Sequence, residues 1–209
     1  LSTFLAENDA RGAVRELVRA TWVPPAGTFH VQHFHELVAW CEIGLYRGVL
    51  DERAQLADRF PRLEGSMILR VETVRTQYNY LRGRLALAGH LPEEEAMRAA
   101  RKLYKESHPL AVVWALAVEA GVRSTRDPER AAALYTRTVE ASERVGMRAM
   151  AAAARWRIAD LRRDDTMRAS AEAELSALGV RNAKRMCSLL VPTKTIDTDT
   201  DSIDVLRER

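Results

Sequence analysis

The chain has 209 residues, of which 47% are hydrophobic and 29% charged, with a formal net charge of +3. This composition is typical of a globular domain with one sizeable core, and so small a net charge argues against a nucleic-acid partner. No apolar run reaches membrane length and no charged-then-apolar leader is present, so we expect a cytoplasmic protein without membrane contact. Because the sequence begins with Leu1, we expect it to be a piece of a larger protein.

The first part of the chain predicts one helix over Ser2–Trp22, which Pro24, Pro25 and Gly27 end. This helix has no partner helix within residues 1–28, and we interpret it as half of a truncated repeat. Four helix pairs and a short closing helix follow. Their predicted bounds are Phe29–Arg47 with Asp51–Phe60, Ser66–Ala88 with Pro92–Glu106, Pro109–Val122 with Pro128–Val145, Met147–Leu161 with Thr166–Leu178, and finally Asn182–Leu190.

Turn and cap residues mark the ends of these helices. Gly48 and Gly89 are predicted turns, and Pro61 is a predicted helix stop. Asp127 followed by Pro128 is typical of a helix start, with the aspartate as N-cap and the proline in the first turn.

The spacing of the helix pairs indicates a repeat. Their second helices begin at Asp51, Pro92, Pro128 and Thr166, at spacings of 41, 36 and 38 residues. A helix-turn-helix unit recurring at such spacings is typical of a solenoid, in which a tetratricopeptide repeat takes ~34 residues. No strand-like run occurs. We therefore predict an all-α fold, an antiparallel helix-pair solenoid of the tetratricopeptide type, over residues 29–192, with a plain helical bundle as the alternative.

The longest predicted element is an amphipathic helix, Ser66–Gly89, around which we expect the rest of the array to pack. Ser66 is its predicted N-cap and Gly89 lies just past its end. Its apolar stripe contains Met67, Val71, Val74, Tyr78, Leu81 and Leu85. A polar row along another face contains Glu72, Arg75, Asn79 and Arg82.

Polar residues on the first helices of two pairs form the candidate partner-binding site. They are Arg75, Asn79, Arg82, Arg148 and Arg155. First helices commonly line the concave face of tetratricopeptide-type solenoids. Arginines there are suited to hold an acidic or phosphorylated protein or peptide segment by bidentate hydrogen bonds. The alternative is solvation and pairing inside the domain, with Glu72 and Glu119.

No motif for catalysis or cofactor binding is present. The sequence contains neither a glycine-rich phosphate loop nor a nucleophile arranged with a base. The densest group of metal-capable residues is His30, His33, His35 and Glu36. Too few of these ligands converge for zinc, so surface histidines are the favoured interpretation. The clusters Asp164–Asp165 and Glu93–Glu95 fit helix starts. We expect no metal, no cofactor and no enzyme activity of this chain.

The cysteines and large aromatic residues are predicted to lie in the core. Cys41 and Cys187 lie on apolar helix faces without metal-ligand spacing, so we predict two buried free thiols. Aromatic residues recur in the first helices of the pairs, which is typical of packing between repeats. These residues are Trp40, Tyr78, Trp114 and Trp156.

Residues 193–209 differ in composition from the rest. They alternate threonine or serine with aspartate and have little to bury, so we predict a flexible tail. The candidate phosphoacceptors of this tail are Thr195, Thr198, Thr200 and Ser202. A solvated linker is the alternative interpretation.

Three segments carry a family resemblance: AWCEIGLYRG, FPRLEGSMILRVETVR and LSALGVRNAKRMCSLLVP. They resemble the tetratricopeptide-like region that follows the kinase domain in large bacterial serine/threonine protein kinases, notably of myxobacteria. The resemblance spans about Phe29 to Pro192. It implies a parent that phosphorylates serine or threonine with ATP and magnesium. No kinase catalytic residue carries over, because no kinase motif occurs here.

The resemblance implies that this piece senses, docks or scaffolds. We therefore expect a non-catalytic protein-interaction module. One alternative is self-association through the open N-terminal end of the array, which would give a homodimer. Another is a spacer in the parent. Similar helical arrays also occur beside nucleotide-binding modules in large bacterial transcription regulators, so the parent need not be a kinase.

Overall fold

The computed structural model describes residues 2–20, 29–51 and 54–194. These residues form α-helices and short 3-10 segments, and no strand occurs among them. The helices are α1 (Ser2–Ala6), α2 (Ala10–Arg19), α3 (Val31–Arg47), α4 (Leu56–Glu64), α5 (Glu72–Leu87), α6 (Glu94–Leu103), α7 (Pro109–Arg123), α8 (Pro128–Arg144), α9 (Arg148–Arg162), α10 (Asp165–Ala177) and α11 (Ala183–Leu190). The prediction of an all-α fold is confirmed.

Helix starts with a side-chain cap lie close to their predicted positions. The Asp127 carboxylate accepts a hydrogen bond from the Arg130 N–H at 3.1 Å, and Pro128 is the first residue of α8. The Asp164 carboxylate accepts from the Met167 N–H at 2.9 Å and begins α10. These aspartates satisfy backbone donors that have no partner inside the helix.

The single N-terminal helix predicted over Ser2–Trp22 is wrong within the described residues. Asn8 has a φ of 61°, which interrupts the helix between α1 and α2. Asparagine visits this left-handed conformation more readily than most residues. The Asp9 carboxylate then accepts a hydrogen bond from the Gly12 N–H at 2.7 Å and starts α2.

The prediction that one helix runs through Ser66–Gly89 is also wrong at its N-terminal end. Met67–Arg70 is a 3-10 turn, and α5 begins only at Glu72. The Ser66 hydroxyl donates to the Leu63 carbonyl at 2.6 Å, so it closes the end of α4 instead of capping α5. Met67 is consequently 67% exposed, whereas the rest of the predicted stripe from Val74 onwards is buried or partly buried.

Pro61 does not end its helix as predicted but lies inside α4. A proline in a helix removes one backbone hydrogen bond. The neighbouring Phe60 and Leu63 are both buried in the core. Most helical stability in proteins comes from such packing of an apolar face, which here outweighs the missing bond.

Consecutive helices from α5 to α10 pack against one another, and α5 also packs against α3 and α7. The last described helix, α11, folds back onto earlier parts of the chain and packs against α3 and α9. Cys41 and Cys187 are buried free thiols, as predicted. Trp40, Tyr78 and Trp156 are buried as well, whereas Trp114 is only partly buried against the same core. No helix among the described residues combines the length and the apolar character needed to cross a membrane.

Arg163, which follows α9, offers a test of backbone strain. Its φ of 55° and ψ of 40° are left-handed, and a side chain in that region costs about 1–2 kcal/mol. After allowing for the greater freedom of glycine in the unfolded chain, we expect Arg163→Gly to raise the free energy of unfolding by about 0.5–1 kcal/mol. Arg162→Gly, in the last turn of α9, should lower it by about 1 kcal/mol. Urea denaturation of both variants checks this, and shifts of the same sign would contradict it.

Candidate functional site

Arg75, the first residue of the predicted partner-binding row, is held inside the domain. Its Nε and Nη2 donate to the two carboxylate oxygens of Glu106 at 2.6 and 2.5 Å. Its Nη1 donates to the Leu69 carbonyl at 3.1 Å. The hydrogen bonds to Glu106 are the main reason that the pKa of Arg75 is raised. The guanidinium therefore joins the start of α5 to the loop after α6.

Arg82 links α5 to the helices on either side of it in sequence. Its Nη2 donates to Glu95 of α6 at 2.6 Å, and its Nη1 pairs with Glu64 of α4. The same guanidinium lies 5.7 Å from the ring centre of Phe60 and 5.6 Å from that of Tyr78. Arginine over an aromatic face is a favourable arrangement, so charge and packing act together here.

Arg155 repeats this arrangement on α9. Its Nη1 donates to Glu174 of α10 at 2.8 Å, and its Nη2 pairs with Glu143 of α8. Arg82 and Arg155 thus each lie on an odd-numbered helix and bridge the two even-numbered helices that flank it. We call these two residues the bridging arginines.

The rest of the predicted row is divided between core and surface. Asn79 is only 3% exposed, so it does not belong to a polar surface. Arg148 is exposed, and its side chain makes no ion pair or hydrogen bond with the described part of the chain. The alternative interpretation of the row is pairing with Glu72 and Glu119. These two carboxylates bind other residues instead: Glu72 accepts from Ser107, and Glu119 accepts from Arg123 and Tyr104.

The opposite side of α5 contacts the end of the described chain. Successive helical residues are about 100° apart, so Arg84 points about 200° away from Arg82. Arg84 is 2% exposed, and its Nη1 donates to the Leu189 carbonyl at 3.2 Å. The Tyr80 hydroxyl, one turn earlier, donates to the carbonyl of Leu190. Sequence periodicity identified this helix but not this face.

The same relation holds on α9. Arg157, two residues after the bridging Arg155, donates from Nε to the Val191 carbonyl at 2.8 Å. On α7, Gly121 leaves room for the main chain of Pro192, because a Cβ at Gly121 would lie 2.5 Å from the Pro192 carbonyl oxygen. Four consecutive carbonyls therefore lie against α5, α9 and α7. We call Tyr80, Arg84, Gly121 and Arg157 the carbonyl site.

The carbonyl site supplies hydrogen-bond donors to the C-terminal end of α11. The last carbonyls of a helix have no donor within the helix, and cations stabilise its negative end. Tyr80 and Arg84 supply donors to the last two carbonyls of α11. The side chains of Cys187, Leu189 and Val191 are buried at the same time. Residues 183–192, which we call the C-terminal segment, are thus held by main-chain hydrogen bonds and by apolar packing.

Burial keeps the neutral groups of this region neutral. Desolvation raises the pKa of Tyr80 to about 12, against the opposing effect of Arg84. Desolvation also raises the pKa of the Cys187 thiol to about 12, opposed by Arg157. Neither group carries a negative charge near neutral pH. The region therefore binds by hydrogen-bond donation from two cations and a phenol, and it contains no activated nucleophile.

The histidines near the start of α3 have structural contacts. The His33 Nδ1 accepts a hydrogen bond from the His30 N–H at 2.8 Å, and burial lowers the pKa of His33. Glu36 accepts from Arg59 at 3.1 Å and from the Trp40 indole at 3.3 Å. Residues 2–20, 29–51 and 54–194 contain no group of three or more histidine, cysteine or acidic side chains arranged to hold a metal ion.

Two open clefts in the described chain lie away from the predicted row. One, of about 810 Å³, lies at the start of α11 and includes Arg181 and Lys184. The other, of about 590 Å³, lies before α4 and includes Leu50 and Leu56. The predicted phosphoacceptors Thr195, Thr198, Thr200 and Ser202 lie outside the described residues.

Comparisons of the sequence with protein-family models, with curated proteins and with solved structures found no match. The functional interpretation therefore depends on the geometry of the chain itself.

The bridging arginines and Arg148 should differ in their effect on stability. Arg82→Ala removes a partner of Glu95, whose side chain is only 10% exposed, and opens the link between α4 and α6. We expect a loss of about 1–3 kcal/mol in the free energy of unfolding, measured by urea denaturation. Arg148→Ala should change it by less than about 0.5 kcal/mol. Equal losses in the two variants would contradict the structural role of Arg82.

A pair of buried tyrosines tests the carbonyl site. Tyr80→Phe leaves the Leu190 carbonyl without its donor and should cost about 1–2 kcal/mol of folding free energy. The hydroxyl of Tyr135 is buried and has no hydrogen-bond partner among the described residues. Tyr135→Phe should therefore be neutral or stabilising. Thermal unfolding of the two variants provides the measurement, and a similar loss in both would show that the Tyr80 hydrogen bond contributes nothing.

Proposed function

We propose that this chain is a non-catalytic protein-interaction module that acts in the cytoplasm as the docking or scaffold region of a larger bacterial signalling protein. The observation that carries this proposal is the carbonyl site, where donors on two helices hold a peptide segment by its main chain. A helical surface that binds one peptide segment in this way has the chemistry needed to bind others. The resemblance to regions that follow bacterial kinase domains supports a serine/threonine kinase as the parent.

The antiparallel helix-pair solenoid of the tetratricopeptide type is the architecture that we propose for this module. The consecutive packing of α5 to α10 supports it. So does the contact of α3, α5, α7 and α9 with one and the same C-terminal segment. Such an array presents its first helices along one extended surface, which suits an elongated partner.

The proposed partner is a protein or peptide segment with acidic or phosphorylated residues. Arg148 supports this choice, since it is exposed and makes no ion pair with the described chain. The partner-binding role predicted for Arg75, Arg82 and Arg155 remains a prediction, and it requires a partner that replaces their present carboxylates.

Self-association is the second candidate function. Met67 and Val71 are 67% and 53% exposed at the turn before α5. Large apolar side chains that lie close together at the surface are typical of contact sites. A homodimer formed through this turn would leave the carbonyl site unchanged, so the two candidates are separable by mutation.

A capture experiment tests both candidates. The full chain is used as bait in a lysate of the organism that encodes it, beside the variants Arg148→Glu and Arg101→Glu. Both arginines are exposed, but Arg101 lies on the even-numbered helix α6. We expect Arg148→Glu to lower the amount of captured partner at least threefold, because reversed charge repels an acidic segment, and Arg101→Glu to leave it unchanged.

The mass of the bait in solution is measured in parallel by light scattering. A dimer that Met67→Ser with Val71→Ser converts to a monomer supports self-association. A bait that stays monomeric at all concentrations and retains no protein contradicts both candidates.

A further inference from the structure

The carbonyl site recognises a main chain and not a particular sequence. Each of its three donors binds a backbone carbonyl, those of residues 189, 190 and 191, and none binds a side chain of the C-terminal segment. The ligand chemistry that fits is the end of a helix that continues as an extended apolar peptide. Such an end presents consecutive free carbonyls, whatever its sequence.

The resident segment does not use all the donors of the site. Nε of Arg84 is buried without a hydrogen-bond partner in the described chain, while its Nη2 lies 3.4 Å from a carboxylate oxygen of Glu42 on α3. Arg157 is 8% exposed and makes no ion pair with any described residue. Buried cations are rarely left without carboxylates, because desolvation of a charge is costly. The C-terminal segment is therefore a ligand that satisfies this site only in part.

The helices of the array are also joined by ion pairs that do not involve the C-terminal segment. The bridging arginines join α4 with α6 and α8 with α10, on the sides of α5 and α9 that face away from the segment. Outside the carbonyl site, the polar links of the segment and its flanks include Arg185 to Asn8 at 3.4 Å and Lys194 to Glu93 at 2.7 Å, both exposed. Departure of the segment would leave the bridging ion pairs in place.

We propose that the C-terminal segment is an internal ligand that leaves the carbonyl site as a unit, and that a partner's helix end of the same chemistry takes its place. This inference rests on the proposed interaction function and identifies one site and one means of regulation for it. The segment would compete with the partner, so that the module binds only when the segment is released. The apparent affinity for the partner then equals the intrinsic affinity multiplied by the fraction of molecules in which the segment is released.

Cys187 reports the release of the segment. It lies within the segment and is fully buried, and it is inert to alkylation while it remains so. The full chain is treated with iodoacetamide under native conditions, and modification of Cys187 is followed by mass spectrometry over a range of urea concentrations. Release as a unit predicts modification at least tenfold faster than global unfolding allows, with a urea dependence below half of that of global unfolding.

A free peptide of residues 183–194, with serine in place of Cys187, serves as the partner probe. By binding the vacated site it should accelerate modification of Cys187 at least fivefold in a saturable manner, whereas a scrambled peptide should not. Arg157→Lys removes the Nε donor and should raise the basal modification rate at least threefold. Arg162→Lys, at an exposed position of the same helix, is the matched control and should leave that rate unchanged.

Modification of Cys187 only at the rate of global unfolding, with no effect of the peptide, overturns the proposal. In that outcome the segment is a permanent part of the core. The capture experiment has a separate readout: a partner that is retained there, with Cys187 still protected, supports the interaction function through another surface. Peptide-dependent modification without any captured partner supports the internal ligand and counts against the interaction function in that organism.

Discussion

The arrangement of the helices depends on ion pairs in which one arginine of an odd-numbered helix binds carboxylates on both flanking helices. Arg82 and Arg155 each contact carboxylates on two flanking helices, so one guanidinium fixes the positions of three elements. Its planar fork suits this task, since it presents donors in two directions at once. The apolar core drives association of the helices, and the bridging arginines select among the ways in which they can associate.

This constraint has a counterpart on the other face of the same helices. Arg84 and Arg157 lie two positions beyond the bridging arginines and point in the opposite direction, toward backbone carbonyls. On each helix one arginine pairs with the two flanking helices and another donates to the C-terminal segment, and Arg84 also pairs with Glu42 of α3 at 3.4 Å. Removal of one class should leave the other in place, because the two classes share no partner among the described residues.

Local signals in the sequence predicted the helices where a cap residue was present, as at Asp127 and Asp164. They failed at Ser66, whose hydroxyl was expected to begin one helix and instead closes another. The periodic row on α5 grouped Arg75 with Arg82, and both pair with carboxylates inside the domain. Periodicity has no means of showing which face of a helix meets a segment far away in sequence. Arg84 and Leu189 are 105 residues apart, so the carbonyl site could not be found without the fold.

The contacts between the two ends of the described chain have a consequence for the kinetics of folding. The Arg181 N–H donates to the Ala6 carbonyl at 2.8 Å, and the pair Arg185 and Asn8 spans 177 residues. Contacts this distant require closure of nearly the whole chain, which costs entropy before any of them is formed. The central helices make mostly local contacts and are able to assemble early, whereas α1 and α11 must wait for the array between them. Folding should therefore end with a slow step in which the two ends of the described chain meet, although most of the helix content forms quickly.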